Sequence, residues 1–98
     1  MDGMIARSIQ IEGRVQGVYF REWAVKVAQE LDIAGWIRNL QDGRVDVYAV
    51  GDEIAVERFI RRLREGSPAS DVDKVTTEPA EVTKLHTFLR RQSETSGH

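Results

Sequence analysis

A split βαββαβ fold of the α+β class is predicted, with both helices on one face of an antiparallel sheet and a short edge strand added at the C-terminal end. Three observations predict it. Stretches of apolar alternation and stretches of 3.6-residue apolar periodicity follow one another in the order β-α-β-β-α-β. A strong hairpin signal, Asp42-Gly43, falls between the second and third strands. Each β-α-β unit must cross over right-handed, and a third strand can slip between its two parallel strands. The result is a ferredoxin-like arrangement, a frame that hosts many functions, so function has to be argued from a site.

Each element has its own justification. Residues 5–12 read as a strand, with Ile9 and Ile11 on one face and Ser8, Gln10 and Glu12 on the other. A glycine-bearing loop follows. From Phe20 the pattern becomes helical. Phe20, Trp23, Ala24, Val27, Ala28 and Leu31 fall at i, i+3, i+4, i+7, i+8 and i+11, one continuous apolar stripe. Ala34-Gly35 is expected to end this helix, with glycine as its stop signal. Trp36 to Leu40 reads as the second strand. After the turn at 41–44, Val45, Val47 and Ala49 alternate with Asp46, Tyr48 and Val50 in the third, which Gly51-Asp52 breaks.

Asp52 or Glu53 can begin the second helix, whose stripe is Val56, Phe59, Ile60 and Leu63. Arg58, Arg61, Arg62 and Arg64 fall mostly off the stripe and read as a solvated face. Gly66-Ser67-Pro68 stops it. Val72 to about Val82 supply the fourth strand, with Pro79 near its end or at an edge. Residues 87–90 add a short edge strand, and residues 93–98 read as a frayed, flexible tail. The chain of 98 residues is thus expected to form one domain over 1–92.

Composition removes several classes of function. The chain is 41% hydrophobic and 31% charged, which favours folding over disorder. With 14 Lys plus Arg against 16 Asp plus Glu, it lacks the basic excess of a nucleic-acid binder. The absence of cysteine excludes disulfides, thiolate catalysis and Cys-ligated zinc. No apolar stretch approaches the ~18 residues needed to span a bilayer, and the N-terminus lacks signal-peptide character. A cytoplasmic, monomeric protein with no membrane partner is expected. His86 and His98 have no ligand-spaced neighbours, and Asp71, Asp73 and Glu78 read as solvated charges, so no metal site is expected.

The most informative stretch is Gly13-Arg14-Val15-Gln16-Gly17-Val18-Tyr19-Phe20-Arg21. A strand leads in and an amphipathic helix leads out. Gly13 and Gly17 permit backbone angles closed to other residues. The N–H groups of Val15, Gln16, Gly17, Val18, Tyr19 and Phe20 can therefore turn inward at a helix N-terminus, which is an oxyanion site. A bare Gly-x-x-x-Gly would be an ordinary turn. Arg21 alters that reading, because a cation in the first helical turn opposes the macrodipole by roughly 0.3–1 kcal/mol. Its guanidinium fork suits two oxygens of one phosphate. Arg14, at the loop's opening, either faces solvent or helps draw in an anion. Asn39, just before the hairpin, either makes a local hydrogen bond or uses its donor and acceptor to orient a water molecule.

These residues closely resemble the acylphosphatase family. One family signature is present in full at 13–21. The second appears as Gly35-Trp36-Ile37-Arg38-Asn39, followed by Gly43, Val45 and Gly51, with isoleucine at 37 a mild departure. The resemblance spans about residues 5–91. It implies hydrolysis of the carboxyl–phosphate anhydride of acyl phosphates to carboxylate and phosphate. It further implies Arg21 as the catalytic arginine, Asn39 as the water-orienting asparagine, residues 15–20 as the phosphate cradle, and no metal or organic cofactor.

Two other functions compete with a metal-independent acylphosphatase. A non-catalytic module that binds acyl phosphate or phosphate would have no need of a water-orienting Asn39. A ferredoxin-like nucleic-acid binder would need aromatics on the open sheet face. Tyr48 is one, but the charge balance is wrong for it.

Overall fold

The computed structural model describes residues 3–93 and contains β1 (Met4–Arg14), α1 (Phe20–Glu30), β2 (Ala34–Asn39), β3 (Val45–Asp52), α2 (Glu53–Glu65), β4 (Asp71–Ala80) and β5 (Phe88–Arg90). The expected tail lies outside the described residues except for Ser93. All strands form one sheet in the order β4-β1-β3-β2-β5. Its first four strands pair antiparallel, as expected. β5 instead joins β2 in parallel, so the sheet is mixed. The chain runs from β4 at one edge to β5 at the other, and this crossing sets β5's direction.

Registry places Ile9 opposite Val47 and Ile11 opposite Val45, with Ile37 also opposite Val47. These residues are fully buried on the side covered by the helices. The helical stripes complete the core with Phe20, Ala24, Val27 and Ala28 from α1 and Val56, Phe59 and Leu63 from α2. Trp23 and Leu31 pack at its margin. Phe88 of β5 meets Phe59 edge-on, with ring centroids 5.5 Å apart. Burying such a ring is worth about 1.5–3 kcal/mol. That burial, with hydrogen bonds from Gly35 N–H to the Thr87 carbonyl and from Arg91 N–H to that of Ile37, fixes a strand of three residues.

The far face of the sheet is partly covered. Trp36 and Tyr48 stack with centroids 6.2 Å apart. The Tyr48 hydroxyl donates to the Glu81 carbonyl and accepts from the Thr83 N–H. Tyr48 thus fastens the β4–β5 crossing instead of standing free on an open face.

Both helix ends inform the site. Asp52 caps α2, its carboxylate accepting from the Ile54 N–H at 3.2 Å. α1 ends earlier than Ala34-Gly35. Asp32 takes the left-handed conformation (φ 58°), and Ile33 N–H reaches the Ala28 carbonyl while Asp32 N–H reaches that of Gln29. This is a Schellman closure with aspartate in the usual glycine position. Gly35 lies inside β2 instead. Its φ is +140°, and a Cβ there would sit 1.8 Å from the Tyr48 carbonyl oxygen. Gly35 is therefore required for close approach of β3's backbone, not for stopping a helix. Replacing it with alanine should cost about 2–4 kcal/mol, read as a lower urea midpoint; an unchanged midpoint would contradict the close approach.

Candidate active site

The loop between β1 and α1 is bound to the core at one end and open at the other. Val15 is buried, and its N–H donates to the Gly13 carbonyl, so it is not one of the free donors expected of residues 15–20. Gly17 (φ 75°) and Tyr19 (φ 59°, ψ 26°) are both left-handed. For a bulky residue such as Tyr19 that is a strained conformation, of the kind found at ligand clamps. Tyr19 is 80% exposed, so packing does not explain it. Unlike α2, α1 has no side-chain cap. Among the described residues, the N–H groups of residues 16–20 make no backbone hydrogen bond. A loop of unpaired donors at an uncapped helix N-terminus favours an anion as the missing partner.

The Gln16 side chain holds this loop in place. Its Nε2 donates to the carbonyls of both Leu40 and Arg44, at 2.9 Å each. These two carbonyls bracket the β2–β3 turn, where Leu40 N–H also bonds the Arg44 carbonyl. The loop is thereby tied to the residue next to Asn39. The sequence marks only the Gln16 backbone, as part of the cradle. Nothing local in the sequence marks this clamp, since its partners lie 24 and 28 positions away.

A cavity of about 320 Å³ opens beside the loop, lined by Val15, Gln16, Gly17, Tyr19, Phe20, Arg21, Glu22, Asn39 and Arg90. Arg21 and Asn39 thus share one cavity with the loop. Val18 does not line it; its side chain packs against the core. Arg14 is exposed at the end of β1 and is not among the lining residues. His86 lies in the β4–β5 connection and lines a different depression; His98 is outside the described residues. Asp71, Asp73 and Glu78 are exposed on β4. Among the described residues, no group of three or more His, Asp or Glu side chains converges as a metal site would.

The two polar groups differ in how they are held. Arg21 Nη1 donates to the Arg91 carbonyl at 2.8 Å. Partial burial lowers its pKa, the charge of Arg90 lowers it further, and Glu22 opposes both. The guanidinium remains charged throughout the accessible pH range. Asn39 ends β2 on the same face as Ile37, opposite Val45. Its Nδ2 donates to the Ser93 hydroxyl at 3.3 Å, while its Oδ1 is buried and has no partner. A buried acceptor without a donor is costly, by about 1–3 kcal/mol, which marks a place where a donor belongs.

Sequence reasoning missed Glu22 and Arg90, which also line the cavity, and the Arg91 carbonyl that orients Arg21. Arg90 had a usable signal. It stands two residues after Phe88 on one strand, so it faces the same side as a core residue.

A family model for acylphosphatases matches residues 7–89. An acylphosphatase of Rhizorhabdus wittichii is 51% identical over 74 residues, which cover 76% of this chain and 75% of the relative. One from Archaeoglobus fulgidus is 42% identical over 85 residues, covering 87% and 96%. Among solved structures, an acylphosphatase from Coxiella burnetii superposes with a TM-score of 0.87 at 34% identity, covering 91% of this chain and 94% of that one. A sheet of this order, an uncapped α1 above a loop of free donors, and these three likenesses agree: the chain belongs to the acylphosphatase family.

Proposed function

We propose that this chain cleaves the carboxyl–phosphate anhydride of acyl phosphates by direct attack of water, without a metal, and that Arg21 and Asn39 carry the catalysis. Membership of the family makes it a hydrolase acting on acid anhydrides, with acyl phosphate as the substrate. The assignment of roles rests on one observation. A charged guanidinium, a row of unpaired N–H donors and an unpaired amide oxygen border the same cavity.

The phosphoryl group sits against residues 16–20, where the unpaired N–H groups and the helix dipole offset its charge. Arg21, tethered through one nitrogen to the Arg91 carbonyl, has its other N–H groups available for the equatorial oxygens. Phosphoryl transfer needs little beyond this stabilisation and an aligned nucleophile. Asn39 Oδ1 accepts a hydrogen bond from one water proton, and the water's lone pair then faces phosphorus. The new bond forms between the water oxygen and phosphorus. The bond from phosphorus to the acyl oxygen breaks, and its electron pair leaves with the carboxylate. That carboxylate has a low pKa, so no side chain need protonate it. The water's proton passes to a phosphate oxygen of the substrate, because the signatures hold no base and Glu22, the carboxylate that lines the cavity, is engaged by Arg90.

Three outcomes are expected. Hydrolysis of benzoyl phosphate should persist in excess chelator; loss of turnover there, restored by a divalent cation, would refute the metal-free step. Arg21→Lys and Asn39→Ala, each checked for folding by circular dichroism, should lower kcat by at least about a hundredfold. Retention of wild-type kcat by either would remove that residue from the mechanism. Gln16→Ala removes two hydrogen bonds and should lower stability by about 1–3 kcal/mol. It should also reduce kcat more than tenfold, because loop and Asn39 lose their common reference. A destabilised variant with normal kcat would limit Gln16 to a folding role.

A further inference from the structure

The cavity contains a second cation that the chemistry above does not use. Arg90 projects from β5 on the same side as Phe88, whose burial fixes the strand. Its Nη1 donates to Glu22 Oε2 at 3.1 Å. The simplest role for this pair would be a strap between β5 and α1. That role is weak, because the two side chains are 50% and 52% exposed and such pairs contribute little to stability. β5 is, moreover, already secured by Phe88 and its ladder.

Position argues for a different role. Arg90 borders both the active-site cavity and an adjoining groove along the outer side of α1, which is also lined by Glu22 and Lys26. The groove shares Glu22 and Arg90 with the cavity, so it offers the acyl portion of a substrate whose phosphoryl group occupies the loop a path past Arg90. Along this exit stand two cations, Arg90 and Lys26, and one carboxylate. Only one Arg90 nitrogen is engaged by Glu22, which leaves further N–H groups free for a ligand.

We infer that Arg90 is a specificity-determining residue that recognises a second negative charge on the acyl portion of the substrate, with Glu22 holding its guanidinium at the cavity mouth until that charge arrives. The favoured substrates are acyl phosphates whose acyl group ends in a carboxylate or another anion. This inference rests on the acyl phosphate reading and adds selectivity to it.

The test compares kcat/KM for para-carboxybenzoyl phosphate with that for its neutral isostere, para-carbamoylbenzoyl phosphate. Intrinsic reactivity cancels when the ratio of the two is followed across variants. Arg90→Gln should lower the ratio about three- to tenfold, chiefly through KM of the anionic substrate. Glu22→Gln should raise it, by releasing the guanidinium. Added salt should lower the ratio in the wild type and leave it nearly unchanged in Arg90→Gln. A ratio that Arg90→Gln does not move would overturn the inference while leaving the hydrolase intact. Failure of the wild type to hydrolyse either compound would overturn both.

Discussion

One carboxamide fixes the geometry on which the rest of the site depends. The Gln16 Nε2 group meets two carbonyls of the β2–β3 turn, and so joins the loop of unpaired N–H donors to the hairpin that presents Asn39. Without this join the loop would have reason to relax. Tyr19 is held in a left-handed conformation, and α1 lacks the side-chain cap that α2 has. Both features cost free energy locally and persist because the surroundings over-determine them. Val15, buried beneath the loop, and Gln16, pinned across it, are those surroundings.

The two helices show the same physics resolved in opposite ways. At α2 the Asp52 carboxylate fills the place where backbone donors would otherwise be unpaired. At α1 that place is left open, with a guanidinium beside it. An arginine in a first turn is unfavourable on its own and becomes favourable once an anion lies between it and the N–H groups. The empty site is therefore locally less stable than the α2 terminus, and an anion is the kind of ligand that would offset the difference.

What was legible in the sequence, and what was not, follows from the range of the interactions. The stripe Phe20, Ala24, Val27 and Ala28 is a local periodicity, and those residues form the core-facing side of α1. Arg21, Asn39 and the loop at 15–20 are legible from two short signatures, and the fold brings all of these but Val18 to the lining of one cavity. Gly35 was misread because a glycine after a helix signals either a stop or a close approach. The left-handed Asp32 that ends the helix gives no comparable signal. The parallel pairing of β5 was not legible from three residues. Likewise, the Arg21 to Arg91 hydrogen bond and the Glu22 to Arg90 ion pair span 70 and 68 positions, distances over which no spacing rule operates.

That parallel strand has a consequence for the order in which activity is acquired during synthesis. The loop, Arg21, Gln16 and Asn39 all lie in the first half of the chain and leave the ribosome early. The carbonyl that orients Arg21 belongs to Arg91, and the ring that locks β5 against α2 belongs to Phe88. A nascent chain can thus form its hairpin and both helices while its arginine is still unanchored. The anchoring of Arg21 thus waits on the segment that follows β5, long after the loop beside it has been made.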